Sequence, residues 1–444
     1  MSACLEFNQT DFYILFSCYS YLVDGPCARG DDDYLIDLIA LGGKFAREHD
    51  MIDCRTQTQS YKEARRRAKN KREQKDRQLL REKTGLPDTS IIWHRVKYAP
   101  HELYPAIPWV KDNPTRSPEP HEIAEAFDAI QSYRFLHLGL NVIRDPLQEN
   151  EIIAIIEFTP FEKLTPAEKD DLNFLSTFLH DSKQFISVVD SCSRVWGGLM
   201  WAIGWRKSYD RNQMFGRYIK QFTKDEAKAF HSHYLKSPRV GEIIGNLFKK
   251  LAHKPFQKNH DLMEKYKLPS LADLSYGQPP EDSTCSPHIT FTTDGFFNPP
   301  HIDSEDISQF AFVLFLPTRS SDGTLVDGGE YDVTSGPFLF PDHKFGIDFD
   351  HQHGIVKMIW QANKYTHCTM PHSLSEHFCR LGMSVQINAS LTAACNRYHT
   401  GFYTKAAHYF GDHFRYLFRS LCKKCTPANL ASLLFSFTLF LFLL

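Results

Sequence analysis

The sequence predicts an α+β chain, with helices concentrated in its first part and a sandwich or barrel of short strands in its second, on three observations. Helical patterns recur between Thr165 and Ala252, the first with Thr165 as N-cap. From His288 to Leu391, short β-rich runs alternate with turn residues at close spacing. The composition, 42% hydrophobic and 14% aromatic with 35 Phe and 19 Tyr in 444 residues, supplies a sizeable core and excludes collagen-like, wholly disordered and polytopic membrane chains. At this length two to three units are expected, or one large catalytic domain with extensions.

Taken in order, YKEARRRAKNKREQKDRQLLREK (61–83) contains good helix formers and no Gly or Pro, which predicts an exposed charged helix. The Pro-rich stretch around 100–120 reads as extended chain and turns, followed by a helix near His121–Tyr133. EIIAIIEFTPF is a β-rich run ending at Pro160. Thr165, Pro166 and Glu168 then open a helix with Thr as N-cap and Pro in its first position, running to about His180. Gly198–Gly204 and Gly216–Lys220 are strand-like, and Lys224–Leu235 and Gly241–Ala252 are helical. The later runs ITFTT, FAFVLFLP, GGEYDV, PFLFP, FGIDF, GIVKMIW and RLGMSVQINASL are strands.

Charge is unevenly spread. Lys62–Lys83 holds eleven Lys/Arg against four Asp/Glu, a net +7 that leaves −9 on the other 422 residues of a chain at −2. A basic arm before a mildly acidic body fits phosphate contact or nuclear localisation through Arg65, Arg66, Arg67, Lys69, Lys71 and Arg72, or a solvated helix. With the body at −9, little non-specific binding to polyanions is expected without the arm. The eleven Cys are scattered and odd in number, pointing to a reducing compartment. The apolar start lacks a basic flank and is not read as a signal peptide. The tail LASLLFSFTLFLFLL would span roughly 22 Å as a helix, short of the roughly 30 Å of a bilayer core, which makes a membrane tail anchor the minor alternative. The lone CKKC at Cys422–Cys425 carries no metal reading by itself.

The chemistry is concentrated in ITFTTDGFFNPPHIDSEDISQFAFVLFLP. In an extended chain residues i and i+2 share a face, so His301 and Asp303 aim an imidazole and a carboxylate at one point. A third His would complete the two-His, one-carboxylate triad that binds Fe(II) and leaves positions open. His-x-Asp is short enough to arise by chance, so its place matters more than its presence. It follows a strand and a Pro-Pro turn and precedes another strong strand, where a double-stranded β-helix oxygenase would carry it. GIVKMIWQANKYTHCTMP supplies the distal ligand in His367, with His372 and His377 as rivals. Arg380, at the head of RLGMSVQINASL, offers a planar fork for the distal carboxylate of a keto acid, unless it pairs with Glu376. Ser384 adds a hydroxyl donor.

GFFNPPHIDSED, the Gly328-Gly329 turn before PFLFP, GIVKMIWQANKYTHCTMP and RLGMSVQI together resemble the fungal TET/JBP-like 2-oxoglutarate and Fe(II)-dependent oxygenases, especially their transposon-associated branch. The upstream MWAIGWRKSYDRNQMFGRY is similar to what precedes the oxygenase core there, and the likeness covers roughly 150–400. It implies a double-stranded β-helix (jelly-roll, cupin-like) core with supporting helices. It also implies His301, Asp303 and His367 as iron ligands, Arg380 on 2-oxoglutarate, O2 as cosubstrate, and Asn298 near the ligands to help position substrate. The chain departs from the family pattern in its acidic body, in lacking a Cys-rich DNA-binding module and in its termini. The expected organisation is an N-terminal extension (1–90) with the basic arm (62–83), an N-terminal α+β part of the oxygenase domain (91–284), the catalytic core (285–400), and a C-terminal extension with the apolar tail (401–444).

The expected activity is oxidation of 5-methylcytosine, or another methylated base, in DNA within the nucleus. The alternatives are the same chemistry on a protein or small molecule, and an inactive transposon-derived binding protein. The complete set His301, Asp303, His367 and Arg380 argues against the last. No stable protein partner is implied.

Overall fold

The computed structural model describes residues 54–85, 91–111, 113–148, 151–208, 215–326, 328–350 and 354–403. The apolar start, the CKKC pair and the apolar tail lie outside them. Among the described residues no helix is long and apolar enough to cross a membrane. Two units are distinguished, Met1–Gln78 and Leu79–Leu444.

The described residues open with helix α1 (Cys54–Lys83), which carries the basic arm. It is followed by β1 (Ile91–Arg95), the short hairpin β2 (Trp109–Val110) and β3 (Asn113–Pro114), α2 (Pro120–Ala129), β4 (Arg134–Leu136), β5 (Leu140–Asp145) and β6 (Glu151–Pro160). Next come α3 (Pro166–Ser182), β7 (Gly197–Lys207), β8 (Phe215–Arg217), α4 (Lys224–Tyr234), α5 (Ser237–Leu251) and α6 (His253–Lys265). The last part holds β9 (His288–Phe297), β10 (Ala311–Arg319), β11 (Phe338–Phe340), β12 (Phe345–Ile347), β13 (Gly354–Trp360), β14 (Cys368–Thr369), β15 (Phe378–Val385) and α7 (Ala389–His399).

Local chemistry accounts for the helix starts. At α3, Thr165 Oγ1 accepts the Glu168 N–H at 3.2 Å and the Glu168 carboxylate accepts the Thr165 N–H at 2.9 Å, with Pro166 in the first turn. Thr223 and Glu226 repeat this reciprocal pair at α4. Two expected strands differ. GGEYDV is turn and irregular chain, because β11 already has β12 on one edge and β14 on the other and offers no free ladder. RLGMSVQINASL leaves the sheet after Val385, since Asn388 Oδ1 accepts the Ser390 and Leu391 N–H groups and caps α7.

Nine strands form one sheet in the order β1-β5-β6-β13-β10-β15-β9-β7-β8, antiparallel except between β1 and β5. Four form a second, in the order β14-β11-β12-β4. Val313, Phe315, Met358 and Trp360 of the large sheet pack against Phe338, Phe340, Phe345 and Ile347 of the small one. The other face of the large sheet, with Ile155, Phe291, Phe312 and Leu314, packs against Phe178, Leu179, Ile244 and Phe248 of α3 and α5. β10 is therefore covered on both faces, which explains its unbroken apolar run. The result is the α+β architecture with a double-stranded β-helix core. Strands from residues 91–217 contribute five of the nine members of the large sheet, so segments on both sides of residue 285 build one structure. Within the second unit, Leu79 and Leu80 at the end of α1 belong to its core.

Candidate active site

Beyond β9 the chain runs antiparallel to the segment around β14. His301 donates its N–H to the His367 carbonyl at 3.0 Å, and His367 returns the bond to His301, also at 3.0 Å. Three residues earlier Asn298 takes the same pairing further: its N–H reaches Thr369 O at 3.2 Å, and its Oδ1 accepts the Thr369 N–H at 2.7 Å. Asp303 is fixed by its own N–H to Ala362 O at 2.9 Å. Main-chain bonds therefore set the spacing of all three functional side chains.

Those side chains converge. His301 Nε2 lies 3.4 Å from Asp303 Oδ1, and His367 Nε2 lies 3.6 Å from Asp303 Oδ2. One donor atom from each falls within 4.8 Å of the others. Each imidazole uses Nδ1 on a main-chain carbonyl, His301 on Pro299 at 2.8 Å and His367 on Tyr365 at 2.9 Å. A carbonyl only accepts, so Nδ1 carries the proton and Nε2 keeps its lone pair toward the shared point. Gln386 donates its side-chain amide to Asp303 Oδ2.

Burial disfavours a charged carboxylate, yet the two imidazoles hold Asp303 well below the usual carboxylate range. Burial alone would lower His301, but the adjacent Asp303 carboxylate outweighs this and holds it above its ordinary value. For His367, burial and the neighbouring His301 prevail and lower it. Two neutral imidazole nitrogens and one anionic oxygen facing one point suit a divalent first-row cation, and three protein donors leave positions for further ligands. His367 is walled by Phe338, stacked at 5.7 Å, and Trp360, edge-on at 5.5 Å, which close its far side to water.

Arg380, Ser384 and Asn298 line the same cavity of about 1490 Å³. Arg380 is buried and donates to Ser335 O at 2.8 Å and Gly336 O at 2.7 Å, with its guanidinium 4.3 Å from the Phe349 ring centroid. Among the described residues no carboxylate, Glu376 included, bonds to it. Ser384 is tied across the sheet to Thr290 Oγ1 at 2.7 Å. His372 lines the cavity beside Gly336, apart from the three donors, and His377 is outside the lining. On the arm, Arg65, Arg66, Arg67, Lys69 and Lys71 are exposed and Arg72 is half-buried.

Two residues escaped the sequence reading. Gln386 continues the alternation Arg380, Gly382, Ser384 on one face of the last strand, so the two-residue period pointed to it. Gly336 has φ +66, and a Cβ there would sit 2.4 Å from Arg380 Nη2. Nothing in the local pattern revealed that contact, because it joins residues 44 apart.

A β-helix sandwich that gathers two imidazoles, a carboxylate and a buried arginine in one cavity defines a class, the 2-oxoglutarate-dependent dioxygenases, which work with Fe(II), 2-oxoglutarate and O2. Residues 165–372 match the model of the Tet-like 2OG-Fe(II) oxygenase superfamily, and the enzyme is a dioxygenase of this class. No curated protein matches the chain. Among solved structures it is similar to NgTET1 in complex with 5mC DNA, at 13% identity and TM-score 0.35, covering 66% of this chain and 89% of that one. OsALKBH1 follows at 10% identity and TM-score 0.26, covering 53% and 96%. A Pseudomonas putida prolyl-4-hydroxylase has 10% identity and TM-score 0.23, covering 50% and 88%.

Proposed function

We propose that the chain oxidises 5-methylcytosine, or another methylated base, in DNA. The observation that carries this reading is the single cavity that holds the three donors and the buried arginine together. At about 1490 Å³ it exceeds the roughly 300–1,000 Å³ of a typical small-ligand pocket, which leaves room for a substrate group beside the cosubstrate. His301, Asp303 and His367 would hold Fe(II), and Arg380, with Ser384 nearby, the distal carboxylate of 2-oxoglutarate. Iron held there supplies O2 activation coupled to conversion of 2-oxoglutarate to succinate and CO2.

The chain's own contribution is positioning. The Nδ1 bonds to Pro299 and Tyr365 fix both imidazole planes, and Gln386 holds the Asp303 carboxylate toward them. Asn298 lines the cavity and helps orient the substrate. A base in duplex DNA must leave the stack to reach this depth, and its extrusion requires phosphate contacts outside the cavity. Arg65, Arg66, Arg67, Lys69, Lys71 and Arg72 supply such contacts, and the same basic run serves as a nuclear address.

The test is succinate formation by iron-loaded protein with methylated DNA, unmethylated DNA and no DNA, together with analysis of the recovered bases. Methylation-dependent turnover with an oxidised base is expected. Turnover indifferent to methylated DNA would move the chemistry to a protein side chain or small molecule.

A further inference from the structure

Away from the donors, the cavity continues along the β9–β7–β8 edge of the large sheet, and the ionised side chains of its lining there are mostly cationic. Lys111, Arg194, Arg206, Lys207 and Arg217 face two carboxylates, Asp190 and Glu305. This occurs on a body whose net charge outside the arm is −9, so the concentration does not follow from general basicity. Lys111, Arg194 and Lys207 are exposed and make no ion pair among the described residues.

The two remaining cations lie over aromatic rings. The Arg206 guanidinium lies 5.2 Å from the Tyr218 centroid, and that of Arg217 lies 4.0 Å from Trp205 and 4.8 Å from Tyr234. Trp109 on the β2–β3 hairpin is 36% exposed and faces the same cavity as Tyr218. Arg194 lines the same cavity as His288 and His301. The backbone allows the arrangement at Gly204. Its φ is +112, and a Cβ would lie 2.6 Å from Pro287 O, so only glycine lets β7 turn there and carry Trp205, Arg206 and Lys207 onward.

Exposed cations without protein counter-ions hold mobile anions, which a phosphodiester chain releases on binding. A cationic groove with interleaved aromatic faces is the arrangement that accommodates a strand with its bases free to stack. We propose that this wall binds the sugar–phosphate backbone of an unpaired nucleic-acid strand, with bases stacked on Trp109 and Tyr218 and one nucleotide directed to the donors. The assignment rests on the nucleic-acid reading above and deepens it: the substrate is presented as an unpaired strand, and the body has a phosphate track of its own. Neutralising the arm therefore leaves salt-dependent binding, against the expectation from net charge alone.

The test uses full-length protein, an unmethylated single-stranded oligonucleotide and the duplex of the same sequence. Affinity is measured against salt for wild type, for the triple substitution Lys111→Gln, Arg194→Gln, Lys207→Gln, and for Trp109→Ala. The arm is common to all and cancels in the differences. Wild type is expected to bind the single strand more tightly than the duplex. The triple variant should lose about 2 from the slope of log affinity against log salt, at about 0.7 per phosphate on a single strand. Trp109→Ala should weaken single-strand binding roughly five- to a hundredfold. A triple variant with the wild-type slope, or tighter duplex binding, overturns the track while leaving a nucleic-acid substrate standing. Wild-type protein with no salt-dependent binding removes the nucleic-acid reading along with it.

Discussion

Replacing Arg380 with alanine isolates the cosubstrate end of the cavity from the metal end. The guanidinium is buried, and burial pushes it below its ordinary pKa. Its bonds go to two neutral carbonyls, at 2.8 and 2.7 Å, and not to a carboxylate. A buried cation so placed gains most from an incoming anion, and truncating one side of such a charge-assisted pair costs about 2–5 kcal/mol. At about 1.4 kcal/mol per factor of ten, the half-saturating 2-oxoglutarate concentration should rise roughly 30- to 4,000-fold. Fe(II) affinity should barely move, because none of the three donors bonds to Arg380. Succinate formation titrated with 2-oxoglutarate, beside a separate iron-binding measurement, gives both quantities. Arg380→Lys, which keeps the charge and loses the fork, should fall between wild type and Arg380→Ala. An Arg380→Ala enzyme with unchanged 2-oxoglutarate dependence would refute the assignment.

His301→Ala, Asp303→Ala and His367→Ala should each abolish stoichiometric Fe(II) binding while the melting transition stays cooperative; iron retained by His367→Ala but lost by His372→Ala would show that the wrong histidine was chosen. Gly336→Ala forces a Cβ against Arg380 Nη2 at a left-handed φ, so the 2-oxoglutarate requirement should rise with Arg380 itself intact, as read from succinate kinetics. Changing Arg65, Arg66, Arg67, Lys69, Lys71 and Arg72 to Gln should flatten the salt slope on duplex DNA by up to about 5, at about 0.9 per phosphate. Deleting 62–83 outright would confuse that measurement, because Leu80 is buried in the core, and Leu80→Ala alone should cost about 2–5 kcal/mol in chemical denaturation. His233, stacked on Phe178 and bonded to Ser182, is pushed down to about 4 by burial. The unfolded chain then binds the extra proton first, so stability should fall as pH drops from about 6.5 toward 4, and less steeply in His233→Gln.

The convergence of His301, Asp303 and His367 was legible because strand periodicity fixes which side chains share a face. Arg380 was read from its place at the head of the last strand, while Gln386, on the same two-residue period, was missed. β5 was hidden by its polar residues. Asn141 and Arg144 interrupt the apolar pattern, yet both are buried, and Asn141 bonds to His94 at 2.9 Å and to Leu138 O. Burial of such groups depends on partners distant in sequence, which periodicity does not report. α6 was masked by Pro255, which breaks a helix in its interior but is tolerated in a first turn. The phosphate track was invisible because Lys111, Arg194 and Lys207 come from three separate segments, whose charges are diluted in any linear count.

The reciprocal main-chain bonds between His301 and His367 have a consequence for how such a chain changes over time. The two imidazoles sit on one rung of paired backbone, so their separation does not depend on the identity of most surrounding side chains. Among the described residues the wall formed by β7, β8 and the Trp109 hairpin shares no hydrogen bond with that rung. Substitutions there can alter which molecule enters while the metal pair keeps its spacing, so the scaffold separates the part that selects from the part that reacts.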